Sequence, residues 1–347
     1  MKIREVRIRN FRNFGANARA VSFVDPLTQQ VRPLSVLVGS NGCGKTTVLD
    51  VIEGLLSFAV GDFARLNARD PREALRRQGY ADILMEFPEV VPNPLRIALG
   101  HKVPSADRED RSIEQIAALY QQDANALVTH TDQQETLQRW VRQMVEGGAP
   151  LAGGLIHFPH RRWVEHEQKG AIKEPPSGKE WLFRFEGRDE WDGSLSQLWV
   201  WQNYLDLEQK REGRPNLTPF VAEVEAILGR GRKVVIRNGR VRIEESGRGV
   251  ELHQLPSGEQ QVLTLFGEII RQLRPGGVLM IDEVEISLHP ALQRVVLHRL
   301  RELARRHDLQ IILTTHSMDI VAAVAPEELV NLDEMVLEER AQAGGAE

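Results

Sequence analysis

Nine consecutive positions, Gly39-Ser40-Asn41-Gly42-Cys43-Gly44-Lys45-Thr46-Thr47, hold three glycines, a lysine and two threonines. Gly39, Gly44, Lys45 and Thr46 stand at the spacing of a phosphate-binding loop. Small residues let successive backbone N–H groups converge on phosphate oxygens, and a helix starting at the loop adds its positive end. Lys45 can reach the outer phosphates of a bound nucleotide, and the Thr46 hydroxyl can ligate magnesium. Cys43 fills a variable position that asks only for a small side chain.

A loop of this kind needs a metal-orienting acid at the end of a neighbouring buried strand. Val278-Leu279-Met280-Ile281 reads as that strand, and Asp282-Glu283 ends it. Asp282 is the candidate magnesium-shell acid, and Glu283 the candidate general base that orients an attacking water. Adjacent acids suit two roles because successive residues leave a strand on different sides. Glu285 is a third carboxylate nearby with no assigned role. A second apolar run, 311-IILTT, ends in His316. That histidine either faces the terminal phosphate or is a satisfied structural residue.

The segment 255-LPSGEQQVLTLFGEIIRQLRPGG-277 carries apolar residues at helical spacing, from Val262 to Leu273. Ser257 reads as its N-cap, with Gln260 at capping-box distance. Pro275-Gly276-Gly277 stops it. Gly258 permits a close approach to the backbone. The helix thus offers a second anion-seeking end, or is an ordinary well-capped helix.

The elements that must position these groups alternate along the chain. Residues 1–14 read as a strand with period two, Leu34–Val38 as a strand covered on both faces, and a helix starts near Lys45. Tyr80–Phe87 reads as another strand. Helical patterns dominate residues 95–228 (IEQIAALY, ETLQRWVRQMV, SLSQLWVWQNYLDLEQK), with a strand-like interruption at 155-LIHFPHRRW-163 and a loop at 170–179. The tryptophans of this stretch serve as lobe core or as a partner surface. Asn238-Gly239 between two alternating runs predicts a hairpin over 233–245. Beyond it the pattern predicts helix 257–273, strand 278–281, helix 291–306, strand 309–314, helix 317–324 and an end strand near 329–337. Such alternation predicts a parallel sheet with covering helices. The expected organisation is an α/β core from residues 1–94 and 229–337, both ends sharing one sheet. A mainly helical insertion lobe spans 95–228, and a disordered tail spans 338–347.

Bulk properties narrow the class. The chain has 347 residues, 41% apolar, 27% charged and a net charge of -5. That balance speaks against coating nucleic acid through global charge but permits a local basic patch. A single cysteine excludes an internal disulfide and suits a reducing cytoplasm. The start, MKIREVRIRNF, alternates charged and apolar residues, unlike a signal peptide. No apolar run approaches the roughly 20 residues of a membrane span. The expected setting is cytoplasmic, without a membrane.

LPSGEQQ resembles the signature motif of the ABC-type ATPases, in the branch of RecF, SMC-type and OLD-like proteins. The form 282-DEVEISLHP-290 and the start 8-IRNFRNF-14 are similar to the same branch. The resemblance covers about residues 1–90 and 230–335. It implies a P-loop ATPase of ABC-head type: a mostly parallel sheet with flanking helices, an N-terminal β element and a helical insertion lobe. It implies ATP and Mg2+ as ligands and a head-to-tail homodimer around two nucleotides. In that dimer Ser257, Gly258 and Glu259 act on the partner's nucleotide, and Ser287–His289 crosses between subunits. Arg12 and Asn13 match the segment that contacts base and ribose. The glutamine loop of the family has no clear match. Residues 155–162 can fill that place, with Arg161 and Arg162 as phosphate or nucleic-acid sensors or as solvated arginines. By analogy, such a head serves anti-phage defence or DNA repair beside a separate effector or nuclease. The sequence shows no long heptad pattern, and a head without coiled coil or nuclease domain is the expectation.

The hairpin's second face, with Lys233, Arg237, Arg240 and Arg242, either contacts a nucleic-acid backbone or is a solvated charged face. Three rivals to an ATP-hydrolysing switch stand at this stage. They are a regulatory scaffold held together by ATP with negligible turnover, a transporter ATPase subunit, and a small-molecule P-loop kinase. The signature and the acidic strand read against the last two.

Overall fold

The computed structural model describes residues 1–16, 19–60, 79–88, 94–100, 116–121, 127–130, 135, 138–139, 142–143, 153–160, 180–185, 195–208, 218–229 and 231–334. In chain order the elements are β1 (Lys2–Arg9), β2 (Arg19–Ser22), β3 (Leu34–Val38), α1 (Lys45–Val60), β4 (Tyr80–Glu86), β5 (Leu95–Gly100), β6 (Ile116–Gln121), β7 (Leu127–His130), β8 (Leu155–Phe158) and β9 (Leu182–Arg184). Then follow α2 (Leu195–Glu208), α3 (Thr218–Leu228), β10 (Lys233–Arg237), β11 (Arg240–Glu245), β12 (Arg248–Glu251), α4 (Ser257–Gln272), β13 (Val278–Ile281), α5 (Pro290–His307), β14 (Gln310–Thr314), α6 (Met318–Ala323) and β15 (Leu329–Asn331).

The central sheet has the order β15-β3-β14-β13-β8-β9, and every neighbouring pair in it is parallel. Its inner strands are buried along nearly their whole length, as expected of strands covered on both faces. Alternate residues feed two cores. Leu37, Met280 and Ile312 face one core, shared with α1 and β1. Leu34, Leu279, Ile281 and Leu313 face the other, under α4 and α5.

Both chain ends contribute to this one sheet, as expected, but the N-terminal share is smaller than the strand pattern suggests. Only β3 of the N-terminal part enters the parallel sheet, while β1 and β4 sit in a second sheet of order β2-β1-β4-β5-β6-β7. That sheet is antiparallel except between β5 and β6. The cause lies in the residues. The strand β1 alternates between buried and partly exposed positions, which suits a one-faced sheet, whereas Leu34–Val38 is apolar throughout. Helix α1 is buried on nearly all sides, and its apolar residues share one core with both sheets.

The span 95–228 also holds more sheet than its pattern predicts. IEQIAALY was expected to be helical, yet Ile116–Gln121 is strand β6, paired with β5 and β7. A short apolar run has no period that separates helix from strand, and its partners decide. In ETLQRWVRQMV the described residues Glu135, Gln138, Arg139, Arg142 and Gln143 are helical. The strands β8 and β9 belong to the central sheet. Trp199 is fully buried, in a third core with α2, α3 and the β10–β11 strands.

The predicted hairpin forms with Asn238 and Gly239 both at positive φ, the two-residue turn whose twist matches its strands. The alternation stops at Glu245, and a third strand, β12, extends the sheet. Among the described residues no helix is long and apolar enough to cross a membrane.

Candidate functional site

In a parallel sheet all strands end at one edge, and open α/β sheets hold ligands there. Five strands deliver their next residues to that edge here. They are β3 (Gly39), β8 (Pro159-His160), β13 (Asp282-Glu283), β14 (Thr315-His316) and β15 (Leu332-Asp333).

The loop after β3 has the backbone that a phosphate cradle requires. Gly39, Gly42 and Gly44 all adopt positive φ, at 146°, 80° and 110°. A Cβ on Gly39 would lie 2.8 Å from Cys43 Sγ, and one on Gly44 only 2.6 Å from the Phe14 ring. The Lys45 ammonium turns back across the loop, donating to Gly39 O at 2.9 Å and Ser40 O at 3.1 Å. Helix α1 starts at Lys45, so Thr46 and Thr47 occupy its first turn with their N–H groups free of helical partners.

Across the edge, Thr46 Oγ1 donates to Asp282, 2.9 Å from Oδ2 and 3.2 Å from Oδ1. Asp282 is 1% exposed. A second support is Thr314 Oγ1, which donates to Oδ1 at 2.5 Å. The same Thr314 oxygen accepts the Glu283 N–H at 2.7 Å. One hydroxyl therefore fixes both acids. Glu283 takes φ 47°, a left-handed conformation that costs a non-glycine residue energy and marks functional turns. Asp282 and Thr46 form the oxygen pair suited to a hard cation such as magnesium, which takes one or two carboxylates plus phosphate oxygens. The donor set and the glycine cradle fit Mg-ATP.

Glu285 anchors the end of β14. It accepts from Thr315 Oγ1 at 2.8 Å and from the His316 N–H at 2.5 Å. That contact places the exposed His316 at the same edge as Asp282 and Glu283.

The signature segment lies beside the turn that follows Glu283. A Cβ on Gly258 would meet Ser287 O at 2.6 Å, so only glycine permits this packing. Ser287 is itself left-handed, at φ 58°. The cap reading is corrected. Pro256 is the N-cap, Ser257 is the first helical residue, and no side chain caps the end. Proline fixes φ and ends the extended chain one residue earlier. Gln260 instead donates to His253 O and Leu255 O. Ser257 is left exposed. Glu259 pairs with Arg232 at 2.7 Å, and Arg232 also holds Glu245 at 2.9 Å. The hydrogen bond to Glu259, aided by Glu245 and opposed by burial, raises the Arg232 guanidinium above its usual range. The signature end of α4 is thereby tied to β11.

Arg12 and Asn13 sit at the tip of a tight turn closed by Phe11 and Phe14. Arg12 Nη1 donates to Asp50 Oδ2 at 2.7 Å, and Asn13 donates to Gly42 O. Both therefore brace the loop and α1. Beneath them Glu53 accepts from His157 at 2.6 Å and from Arg184. Burial raises the Glu53 carboxyl, but its bonds and charges with His157 and Arg184 outweigh that and hold it below its ordinary range.

The hairpin's basic residues do lie on one face, because the register places Lys233, Arg237, Arg240 and Arg242 together. Three of them have local partners: Lys233 pairs with Glu225, Arg240 with Glu251, and Arg242 donates to Gly249 O. Arg161 and Arg162 lie outside the described residues.

Three residues at the edge escaped the sequence reading. Asp333 accepts the Ser40 N–H at 2.6 Å and the Ser40 hydroxyl at 2.8 Å. Thr314 is the hydroxyl shared by Asp282 and Glu283. His160, directly after β8, places Nδ1 3.6 Å from Asp282 Oδ2. It lies within the strand-like stretch 155–163, in which the sequence singled out only Arg161 and Arg162.

Comparison with known proteins agrees with this geometry. Residues 1–143 match the family model described as "AAA ATPase domain", and residues 165–322 match "AAA domain, putative AbiEii toxin, Type IV TA system". A stretch of 102 residues is 26% identical to "Retron Vc95 probable ATPase" of Vibrio cholerae serotype O1 biovar El Tor, covering 26% of this chain and 20% of that protein. A stretch of 98 residues is 26% identical to "Retron Ec83 probable ATPase" of Escherichia coli, covering 25% and 18%. The matches thus span about a fifth of the length of these curated relatives. The crystal structure of the SmcHead bound to the C-winged helix domain of ScpA superposes with a TM-score of 0.52 at 13% identity, covering 95% of this chain and 96% of that one. The P-loop, the acidic strand and the signature segment thus lie on an SMC-head-like fold, in a chain that two AAA ATPase family models match over residues 1–143 and 165–322.

Proposed function

We propose that this chain binds Mg-ATP at the strand edge, hydrolyses it, and uses the ATP state to dimerise head-to-tail and switch an effector. The observation that carries the reading is the Thr46–Asp282–Thr314–Glu283 chain of contacts. It brings the loop's hydroxyl, a buried acid and a second acid to one place. The main-chain N–H groups of the loop and Lys45 would bind the phosphates, and Thr46 and Asp282 would hold the magnesium. When bound, the ion supplies charge neutralisation at the β- and γ-phosphates. Glu283 orients a water in line with the γ-phosphate and accepts its proton. His316 stands at the same edge to contact the γ-phosphate. Ser257, Gly258 and Glu259 cap the γ-phosphate of the partner copy. Their exposed helix end supports this, since within its own chain the Ser257 side chain makes no capping bond.

Relatives named as retron ATPases, and a family model named for a type IV toxin–antitoxin system, support a defence setting, and a separate effector or nuclease is proposed by analogy with such heads. A nucleic-acid role rests on Lys233, Arg237, Arg240 and Arg242. Their pairing with Glu225 and Glu251 favours a protein effector over a DNA backbone at that face.

The test is light scattering with phosphate release. Glu283→Gln should keep ATP binding, lose turnover and accumulate an ATP-dependent dimer. Glu283→Gln turning over at the wild-type rate would remove the assigned base. Negligible turnover in the wild-type chain, with ATP-dependent assembly intact, would establish the scaffold reading instead.

A further inference from the structure

At the opposite edge of the central sheet, where β8, β9, β13 and β14 begin, lies a cavity the nucleotide chemistry does not use. It measures about 250 Å³ including its mouth, and its walls include Gly154, Glu180, Trp181, Gln272 and Arg274. Arg274 is 3% exposed, yet its Nε, Nη1 and Nη2 have no hydrogen-bond partner among the described residues. The indole N–H of Trp181 is also buried without an acceptor. Gln272 gives no relief: with its amide oriented to suit its neighbours, its oxygen takes Arg271 at 3.1 and 3.2 Å. Burial pushes the Arg274 guanidinium down to about 10, against the opposing pull of Glu180, so it remains charged at neutral pH.

An unpaired buried guanidinium is costly, and a group of donors with no acceptor calls for one. The site is also kept open by its backbone. Gly154 sits at φ 97°, and a Cβ there would reach 2.7 Å from Trp181 O and 3.3 Å from Arg274 Nη1. Any side chain would fill the space beside the guanidinium. The enclosed part takes a group about the size of one water, which excludes a whole phosphate or sulfate. Exposed Glu180 at the rim disfavours a divalent anion.

We infer that Arg274 and Trp181 form a binding site for one small monovalent anion, either a halide or a carboxylate that presents one oxygen. Water is a poorer occupant, because it adds two donors to a cavity whose orphan groups are all donors.

The test uses the full chain in sodium sulfate, whose divalent anion the cavity excludes, with chloride or formate substituted at constant ionic strength, and reads the shift relative to Arg274→Met. A saturable rise in melting temperature of roughly 2 °C is expected at ten times the dissociation constant. A chloride response assigns the site to a free halide, and a stronger formate response assigns it to a carboxylate. Arg274→Met should abolish the response and melt no lower than wild type in sulfate, since it removes a buried charge that lacks hydrogen-bond partners among the described residues. Bromide-soaked wild-type crystals, which need no variant, should show an anomalous peak within hydrogen-bond reach of Arg274 and Trp181. The inference fails if neither anion shifts the melt and no bromide peak appears, or if Arg274→Met responds like wild type.

Discussion

Removing one buried hydroxyl should damage both stability and turnover. Thr314 Oγ1 donates to Asp282 Oδ1 at 2.5 Å and accepts the Glu283 N–H at 2.7 Å, in a residue with no exposed surface. Thr314→Val keeps the shape and deletes both bonds. The lost bond to a buried carboxylate is worth about 1.5–3 kcal/mol, and an orphaned buried N–H costs about 1–3 kcal/mol more. Relief of the Glu283 backbone strain offsets part of this, so a loss of about 3 kcal/mol is expected. Denaturant unfolding of the nucleotide-free chain measures it. Turnover should fall by about 100-fold, the usual effect of misplacing a reacting group by an ångström. Thr314→Ser should restore both quantities, because it returns the hydroxyl. The reasoning is refuted if Thr314→Val unfolds at the wild-type midpoint, or if it turns over at the wild-type rate despite the lost stability.

Four further outcomes are expected. Lys45→Ala should abolish ATP binding measured by a fluorescent analogue, because among the described residues no other ammonium spans the cradle. Asp333→Ala should weaken that binding by about 10-fold through loss of two bonds to Ser40, whereas Asp333→Asn, which can still hold Ser40, should lose less. His160→Ala should weaken magnesium dependence, read as a higher metal concentration for half-maximal analogue binding, while leaving metal-free binding unchanged. Glu53 is held below its ordinary value of 4.5. Its contribution to stability is therefore complete above that pH and is lost as pH falls through the lowered folded value. Glu53→Gln should flatten the acid limb of the stability–pH curve, measured by urea unfolding between pH 3 and 7.

How much of this was legible in the sequence depended on the range over which the deciding contacts act. The loop from Gly39 to Thr47 and the run Val278–Ile281 with Asp282-Glu283 announce themselves because turn geometry and strand burial are local. The hairpin was legible for the same reason: Asn238-Gly239 dictates its own turn. The contacts that finish the site are not local. Ser40 and Asp333 are 293 residues apart in the chain, and Thr314 and Asp282 are 32 apart. Nothing in a threonine at the end of a strand tells which acid it will hold until the sheet order is known. The division into two sheets was hidden similarly, since β1 and β3 both read as strands and only their differing burial separates them. Residues 116–121 read as helix but form a strand, because a run of only five apolar residues takes its structure from its neighbours.

The central claim is that each nucleotide is sandwiched between the loop of one copy and the signature helix of another. It is tested most directly by mixing two dead variants, Lys45→Ala and Ser257→Arg, and measuring phosphate release. In a two-fold dimer the mixed pair contains one intact site, formed by the loop of the Ser257→Arg chain and the signature of the Lys45→Ala chain. Random mixing should then recover about a quarter of wild-type turnover. A mixture as inactive as its components, with both variants folded and able to associate, would contradict the shared site.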